Sequence, residues 1–387
     1  MGHTGCISIK WKHYIITNNN LIYTNIKYIR TMATKVEYSK DSDLMQLSQE
    51  KSLIIDVLKA KVPKAKSGQN RAIKLPKYIF FDIKADAILS IHIREMDAIE
   101  DGNAIKKNPV CENMQTDNAA FEGWAICLKS WLDNIEKVEL RWDIPSYETL
   151  QNGSSKQHYN RFRYRVMRFH EAFSDWFIIS KDNQIEISNF ALEFADIQNN
   201  AYSKEPEHKP SHNGFGETDM EYAMANDLKG KMLSYFNLDD IDRQFPVGLK
   251  KNNKPFFTGG LSAIDLWGIK ENVLSLIELK YGTKNIKVGI VSELFLYSCV
   301  MRDMIKGVIA KPSSTIPKES ETVFYENARK YRQVKAYMLA NEYHPLIEND
   351  AVLNLLNSNK FANDVSILFL QRYYTYNETS KQLKIIE

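Results

Sequence analysis

The chain has 387 residues, of which 44% are hydrophobic and 26% charged, with a formal net charge of +3. That length allows two domains and a large buried core, and the composition is that of a globular chain, not a disordered or fibrous one. The near balance of charge excludes a generally polybasic protein, so any phosphate-binding surface has to be a local patch.

Residues 1–35 read as an extension outside the fold. The first 30 are basic and Asn-rich, without the continuous apolar core of a signal peptide. Cys6 stands where a myristoylation signal after Gly2 wants Ser or Thr, and Met32-Ala33-Thr34 offers an alternative start. Residues 36–198 are expected to form an N-terminal α/β or α+β domain. A helix is predicted over 41–60, from the apolar positions Leu44, Leu47, Leu53, Ile54, Val57 and Leu58. Residues 78–93 read as one or two strands and 100–118 as a loop. A helix over 119–134 carries Phe121, Trp124, Leu128, Trp131 and Leu132 on one side, and a strand covers 138–142. A loop over 145–156 leads to an aromatic helix over 158–177, then short strands at 177–180 and 184–187.

Residues 199–215 are the best linker in the chain: polar, aperiodic, and punctuated by Pro206, Pro210 and Gly214. The C-terminal domain, 216–387, is expected to run as a helix (217–236), a strand (245–249), two strands with a tight connection (262–269 and 273–280), a long helix (288–306) and a second helix (319–330). A strand (334–339), a helix (345–356) and a strand (365–370) complete it. No apolar run approaches the ~18 residues that span a bilayer. Cys6, Cys111, Cys127 and Cys299 are scattered, with no C-x-x-C pair. They argue against a zinc cluster and fit a reducing compartment such as the cytoplasm, with Cys127 and Cys299 as buried thiols.

The chemistry concentrates at the tight connection. Asp265 lies between Ile264 and Leu266, where a carboxylate is costly unless paired or bound to a cation. In the next strand, alternation puts Glu278 and Lys280 on one face and Leu279 on the other. A two-residue turn at Glu271-Asn272 pairs Lys270 with Val273, and counting back sets Asp265 opposite Glu278. A four-residue loop keeps that register, whereas a three-residue loop sends the carboxylates to opposite faces. Asn272, which tolerates positive φ, favours the short turn. Two carboxylates about 5 Å apart at Cβ suit a divalent cation, and oxygen-only ligands favour Mg²⁺ or Mn²⁺ over zinc. Lys280 is placed to orient an attacking water or to offset charge on a scissile phosphate. The plainer alternative is an ion pair between Glu278 and Lys280 at a strand end.

These residues resemble the PD-(D/E)XK, or restriction-endonuclease-like, nuclease superfamily: Asp265, a hairpin, then Glu278-Leu279-Lys280. The resemblance covers roughly 216–306 well, and 334–370 only by order of elements. It implies a mixed sheet flanked by helices and Mg²⁺-dependent hydrolysis of phosphodiester bonds, in DNA before RNA. It also implies metal ligation by Asp265, Glu278 and the carbonyl of Leu279, with Lys280 serving the attacking water. Glu293 and Tyr297 occupy places where many relatives carry Gln and Tyr. Glu217 or Glu221 from the preceding helix is the further acidic ligand, Glu217 being preferred because Met220 and Met224 then fall where relatives have core leucines. Ile264 replaces the proline that names the motif, and Glu293 replaces Gln.

Elsewhere, Arg161, Arg165 and Arg168 form a stripe beside the apolar face of the 158–177 helix. That stripe is a candidate for holding nucleic-acid phosphates, against the alternative of a solvated basic face. His158 and His170 lack metal-ligand spacing. Asp82 and Asp86, near Lys84, have no hairpin partner in register. Trp124, Trp131, Trp142 and Trp176 are expected in the core. Glu207-His208-Lys209 repeats the Glu-x-Lys spacing in a Pro-rich stretch with no strand around it. No Walker A, G-x-G-x-x-G or G-x-S-x-G motif occurs. The N-terminal domain is expected to select the substrate or a protein partner. The rival readings are a catalytically inactive nucleic-acid-binding or protein-interaction module on the same fold, and a protein in which the motif is coincidental.

Overall fold

The computed structural model describes residues 40–64, 73–84, 86–100, 103–114, 116–200, 214–257, 262–282, 287–313 and 317–386. The extension 1–35, Cys6, most of the linker and Glu207-His208-Lys209 lie outside them. The described part is a mixed α/β structure. Its largest sheet has six strands, in the order β15-β14-β13-β12-β11-β8. These are β8 (Asp240–Pro246), β11 (Ala263–Lys270), β12 (Val273–Lys280), β13 (Gln333–Ala340), β14 (Ser366–Asn377) and β15 (Gln382–Ile386). The three central strands run parallel, and the outer pairings are antiparallel.

A second sheet joins β1 (Ile79–Ile83), β2 (Ile88–Ile93), β5 (Lys137–Trp142) and β6 (Phe177–Ile179) in that order. A three-stranded sheet pairs β7 (Ile197–Asn199) with β9 (Leu249–Lys251), and β9 with β10 (Lys254–Pro255). The start of the expected linker is thus a strand, tied into the C-terminal half. There the Asn199 amide donates to the carbonyls of Pro246 and Gly248.

Helices α1 (Lys40–Lys61), α2 (Phe121–Trp131), α3 (Tyr147–Gln151), α4 (Ser155–Phe173) and α5 (Lys181–Glu193) belong to the first half. Helices α6 (Glu217–Ala225), α7 (Lys229–Phe236), α8 (Gly289–Lys306), α9 (Glu319–Asn327) and α10 (Asp350–Asn357) belong to the second. Helix α8 is buried from Gly289 to Ile305, as expected of a helix that is apolar nearly all round. It stops at Gly307, whose φ of +68° suits a residue without Cβ. Leu294, Phe295, Val300 and Met301 each stabilise the fold by about 1.5–3 kcal/mol through burial.

One side of α8 packs on the six-stranded sheet and the other on α2 and α4. Phe169 meets Phe295 edge-on at 5.2 Å. Gly123 lies so close to α8 that a Cβ there would stand 2.5 Å from the Val288 carbonyl oxygen. One hydrophobic cluster therefore runs from Ile54 through Phe121 and Phe169 to Leu276 and Val334, joining the two halves. A second cluster covers the other sheet face, with Met220, Met224, Met232 and Phe236 against Leu266, Ile277 and Leu279.

Several expected elements differ. Residues 184–187 are helical, inside α5, because Ile187 and Phe190 bury at helical spacing. The loop over 100–118 contains the end of a hairpin, β3 (Met96–Glu100) with β4 (Asn103–Lys107), and a short 3₁₀ turn. The single helix over 217–236 is two, broken at Asn226, which caps α6 through its own N–H to Tyr222. The strand at 245–249 is the end of β8 and the start of β9. The four tryptophans are buried as expected, as are the free thiols of Cys127 and Cys299. Lys84 pairs with Glu139 across the sheet. Among the described residues, no helix is long and apolar enough to cross a membrane.

Candidate active site

The β11–β12 hairpin turns on Glu271 and Asn272, and pairing runs from Lys270 with Val273 up to Leu266 with Ile277. One more step sets Asp265 opposite Glu278. Here the side chain of Asp265 takes over from the ladder, its Oδ2 accepting the Leu279 N–H at 2.8 Å. The turn has the expected length, but the positive φ (+52°) falls on Glu271, not on Asn272.

Glu278 and Lys280 share the sheet face that looks toward α8, while Ile277 and Leu279 pack on α6 and α7. The Lys280 ammonium donates to Glu278 Oε1 at 2.7 Å. It also lies 3.3 Å from Glu293 of α8 and 3.6 Å from Glu217 of α6. Glu217 in turn accepts the Tyr281 N–H at 3.1 Å, which fixes it at the end of β12. The sequence-selected residues Glu217, Asp265, Glu278, Lys280 and Glu293 therefore do come together. The second oxygen of Glu278, Oε2, is buried with no hydrogen-bond partner among the described residues.

Glu221 borders them, its charge bearing on Asp265 and that of Glu217 bearing on it, but it is tied to β8. Its carboxylate accepts from Gln244 Nε2 at 2.9 Å and from Arg243 Nη1 at 3.4 Å. Burial nevertheless raises its pKa to about 7, against the lowering pull of Arg243.

Charge is unevenly shared at this site. Burial pushes the Asp265 carboxyl well above its ordinary range, against the pull of Lys280. Burial and then the Asp265 charge do the same to Glu278. For Lys280 burial works against the ammonium, but Glu278, Glu293, Asp265 and Glu217 outweigh it and hold its proton firmly. Tyr297, buried on α8 one turn beyond Glu293, keeps its phenolic proton because of burial and the same carboxylates. Among the described residues, no three His, Cys, Asp or Glu side chains are already arranged around a common point to hold a metal ion. The ammonium stands among the acids instead.

Asp265, Glu278, Lys280, Glu217 and Tyr297 line a cleft of about 500 Å³, with Arg161 and His158 on another wall. A larger cleft, about 760 Å³, lies beside the edge strand β8. Its charges largely answer one another, Lys229 with Asp240 at 2.6 Å and Lys318 with Asp242 at 3.8 Å.

The expected phosphate-holding stripe is not a surface, and neither is it a solvated basic face. Arg165 is buried and donates through Nε to Glu122 at 2.7 Å. Arg168 lies 2.7 Å from Asp303 and 2.6 Å from Glu171. Both are internal ion pairs, because α4 packs on α2 and α8 instead of facing solvent. Arg161 alone of the three reaches the cleft. A readable sign existed: Tyr159, Phe162, Tyr164, Val166 and Phe169 leave α4 no wholly polar face, so its arginines needed partners inside the protein. His158, Asn113, Ser262 and Gln244 also line the cleft. Only Ser262, next to the motif strand, carried a local signal. Comparison with protein-family models, with curated proteins and with solved structures gives no match for this chain.

Proposed function

We propose that this chain is a metal-dependent nuclease of the PD-(D/E)XK type, with a restriction-endonuclease-like core, hydrolysing phosphodiester bonds in nucleic acid, DNA in preference. The observation that carries the reading is the meeting of Asp265 and Glu278 across adjacent strands, with Lys280 two residues on and Glu217 beside it. The order of elements supports it too: α6, then β8, β11 and β12 antiparallel, then α8 crossing to the parallel strand β13.

The donor set fits a divalent cation. Glu217, Glu278 and Glu293 crowd one ammonium, Asp265 adds its charge, and Glu278 Oε2 is a buried acceptor with nothing to accept from among the described residues. Such an orphan costs roughly 1–3 kcal/mol, which a cation would recover. Asp265, Glu278, the Leu279 carbonyl and Glu217 are the groups that would hold Mg²⁺ or Mn²⁺. When bound, the ion supplies Lewis-acid activation of water and offsets phosphate charge. Lys280 serves as donor and positive charge toward the phosphate, not as proton acceptor, given how tightly its proton is held.

The test is Mg²⁺-dependent cleavage of plasmid and single-stranded DNA by wild type, Asp265→Ala and Lys280→Ala. Each substitution is expected to cost about 100-fold or more in rate, the scale of losing one electrostatic contact to a transition state. Equal rates in all three eliminate the mechanism. A second reading, a binding module with an inactive acidic cluster, draws on the ammonium already standing among the carboxylates. It expects DNA binding with no cleavage by wild type in either metal.

A further inference from the structure

Strand β8 contains a residue whose backbone does not belong in a strand. Gln244 has a φ of +57°, although it lies inside Asp240–Pro246. The other left-handed non-glycines among the described residues stand in turns, loops and helix caps. A left-handed φ is uncommon for a glutamine and carries a conformational cost, so the packing around it has to hold it there.

The ladder between β8 and β11 pairs Phe245 with Ile264 and Arg243 with Leu266, which sets Gln244 opposite Asp265. On a regular strand, side chains two apart share a face and adjacent ones do not. Both rules fail at this rung. Ile264 packs in the cluster of Phe245, Trp267 and Leu276, whereas Leu266 packs on the other sheet face with Ile241, Ile277 and Leu279. On β8 the adjacent Arg243 and Gln244 both reach Glu221 of α6, at 3.4 and 2.9 Å. Phe245 then turns to the opposite face, its ring centroid 5.0 Å from Trp267 and 5.2 Å from Phe324. The two strands thus exchange faces together, β8 at Gln244 and β11 at Asp265. Both residues line the acidic cleft.

This exchange needs the left-handed residue. With Gln244 extended, Phe245 would follow strand alternation out of its aromatic pocket, or Arg243 would turn away from Glu221. Either change shifts the rung that carries Asp265, whose Oδ2 is fixed on the other side by the Leu279 N–H at 2.8 Å.

We propose that Gln244 is a positioning residue of this site: its left-handed backbone, and not its amide, aims the Asp265 carboxylate at the cation. The proposal rests on the nuclease reading for the presence of that cation. Glycine adopts the same φ without strain, whereas a β-branched residue is a strong outlier there.

The experiment titrates Mn²⁺ into the full chain by calorimetry, with Mn²⁺-dependent cleavage of single-stranded DNA followed in parallel. Gln244→Gly should keep Mn²⁺ affinity within about threefold of wild type. Gln244→Val, folded by circular dichroism, should lose about tenfold or more, the scale on which supporting residues act on a metal ligand. Asn134→Val puts the same β-branched side chain at another left-handed position, φ +62°, in the exposed loop before β5. It should lose stability and keep wild-type Mn²⁺ affinity.

Folded Gln244→Val with wild-type Mn²⁺ affinity overturns the proposal and leaves the nuclease reading standing. An equal loss in Gln244→Gly also overturns it, by assigning the effect to the amide, and an equal loss in Asn134→Val does so by assigning it to stability. If Gln244→Val does not fold, Gln244→Thr decides on the same terms. A Mn²⁺ affinity that depends on the backbone at Gln244, in a protein that never cleaves DNA, supports the positioning role and removes the nuclease reading. A wild type that binds no Mn²⁺ removes both.

Discussion

Two groups of buried charges lie on either side of α8, and they are built on different arithmetic. Against α2 and α4, each charge meets its opposite. Glu122, wholly buried, faces Arg165, and Asp303 accepts from Tyr164 at 2.7 Å and from Arg168. Toward the sheet, Glu278, Glu293 and Glu217 gather round the ammonium of Lys280, with the charge of Asp265 also bearing on it, and one oxygen of Glu278 is left over. A buried ion pair with its hydrogen bonds satisfied is a structural solution. Crowded carboxyls of one sign are costly to bury, and the cost is relieved either by protons, which burial makes Asp265 and Glu278 hold to higher pH, or by a cation. The contrast separates the arginines of α4 into structural ones and the single one that reaches the cleft.

The largest effect should come from unbalancing the balanced side. Glu122→Ala leaves Arg165 buried and uncompensated, and should lower unfolding stability by about 3–5 kcal/mol, read from the guanidinium midpoint. Replacing both, Glu122→Leu with Arg165→Met, should restore most of that loss. A Glu122→Ala loss below about 1 kcal/mol would show that the pair is not the structural tie described here. On the unbalanced side the sign reverses: Asp265→Asn removes one of the crowded charges. It should abolish cleavage while raising stability at pH 8 by roughly 0.5–2 kcal/mol, the usual gain when a strained functional site is relieved. A stability loss instead would mean that Asp265 is held by something more than its bond to Leu279.

Metal and pH sharpen the same contrast with smaller shifts. A cation that binds only the folded chain adds RT ln(1 + [L]/Kd), about 2.7 kcal/mol at a hundredfold excess over Kd. Mg²⁺ should therefore raise the Tm of wild type and of Glu122→Ala alike, and leave Asp265→Asn and Glu278→Gln nearly unmoved. An equal rise in all four would point to a site elsewhere. The pH dependence follows from the raised carboxyls. Asp265, Glu278 and Glu221 keep their protons to higher pH in the folded chain than in the unfolded one, so between those values the native state binds more protons. Stability from these groups is full below the ordinary carboxyl range and falls as pH rises through the folded values. For Glu221 the window runs from 4.5 to about 7. In metal-free buffer the Tm of wild type should fall more steeply above pH 5 than that of Asp265→Asn, and parallel curves would refute the assignment.

The sequence made the hairpin legible because strand alternation has a period of two and a two-residue turn leaves no freedom of register. Asp265, Glu278 and Lys280 could be placed on one face by counting alone. Glu217 and Glu293 followed from the flanking helices. What could not be read were contacts set by distant packing: Arg165 finds Glu122 43 residues away, and Arg168 finds Asp303 135 residues away. Residues 184–187 misled for a local reason. Ile185 and Ile187 alternate like a strand, but Ile187, Phe190 and Phe194 fall on one helical face and are buried, while Ile185 is exposed. The hairpin of β3 and β4 mixes apolar residues (Met96, Ala98, Ile99, Ala104, Ile105) with charged and polar ones in no strict alternation that would announce it. Asn226 broke a helix whose apolar spacing otherwise continued to Phe236.

The smallest expected effect concerns the turn itself. Register depends on how many residues connect β11 and β12, whereas stability depends on which they are. Glu271 holds a left-handed φ of +52°, a conformation that costs a side chain roughly 1–2 kcal/mol. Glycine adopts it without that strain but gives back about 0.5–1 kcal/mol in chain entropy. Glu271→Gly should therefore stabilise the protein by about 0.5–1 kcal/mol, measured by denaturant unfolding. It should leave the cleavage rate within about twofold, since Lys270 still pairs with Val273 and Asp265 still meets Glu278. A variant of raised stability and lost cleavage would mean that the strain at Glu271 helps to aim Asp265, and that the length of the turn is not enough to build the site.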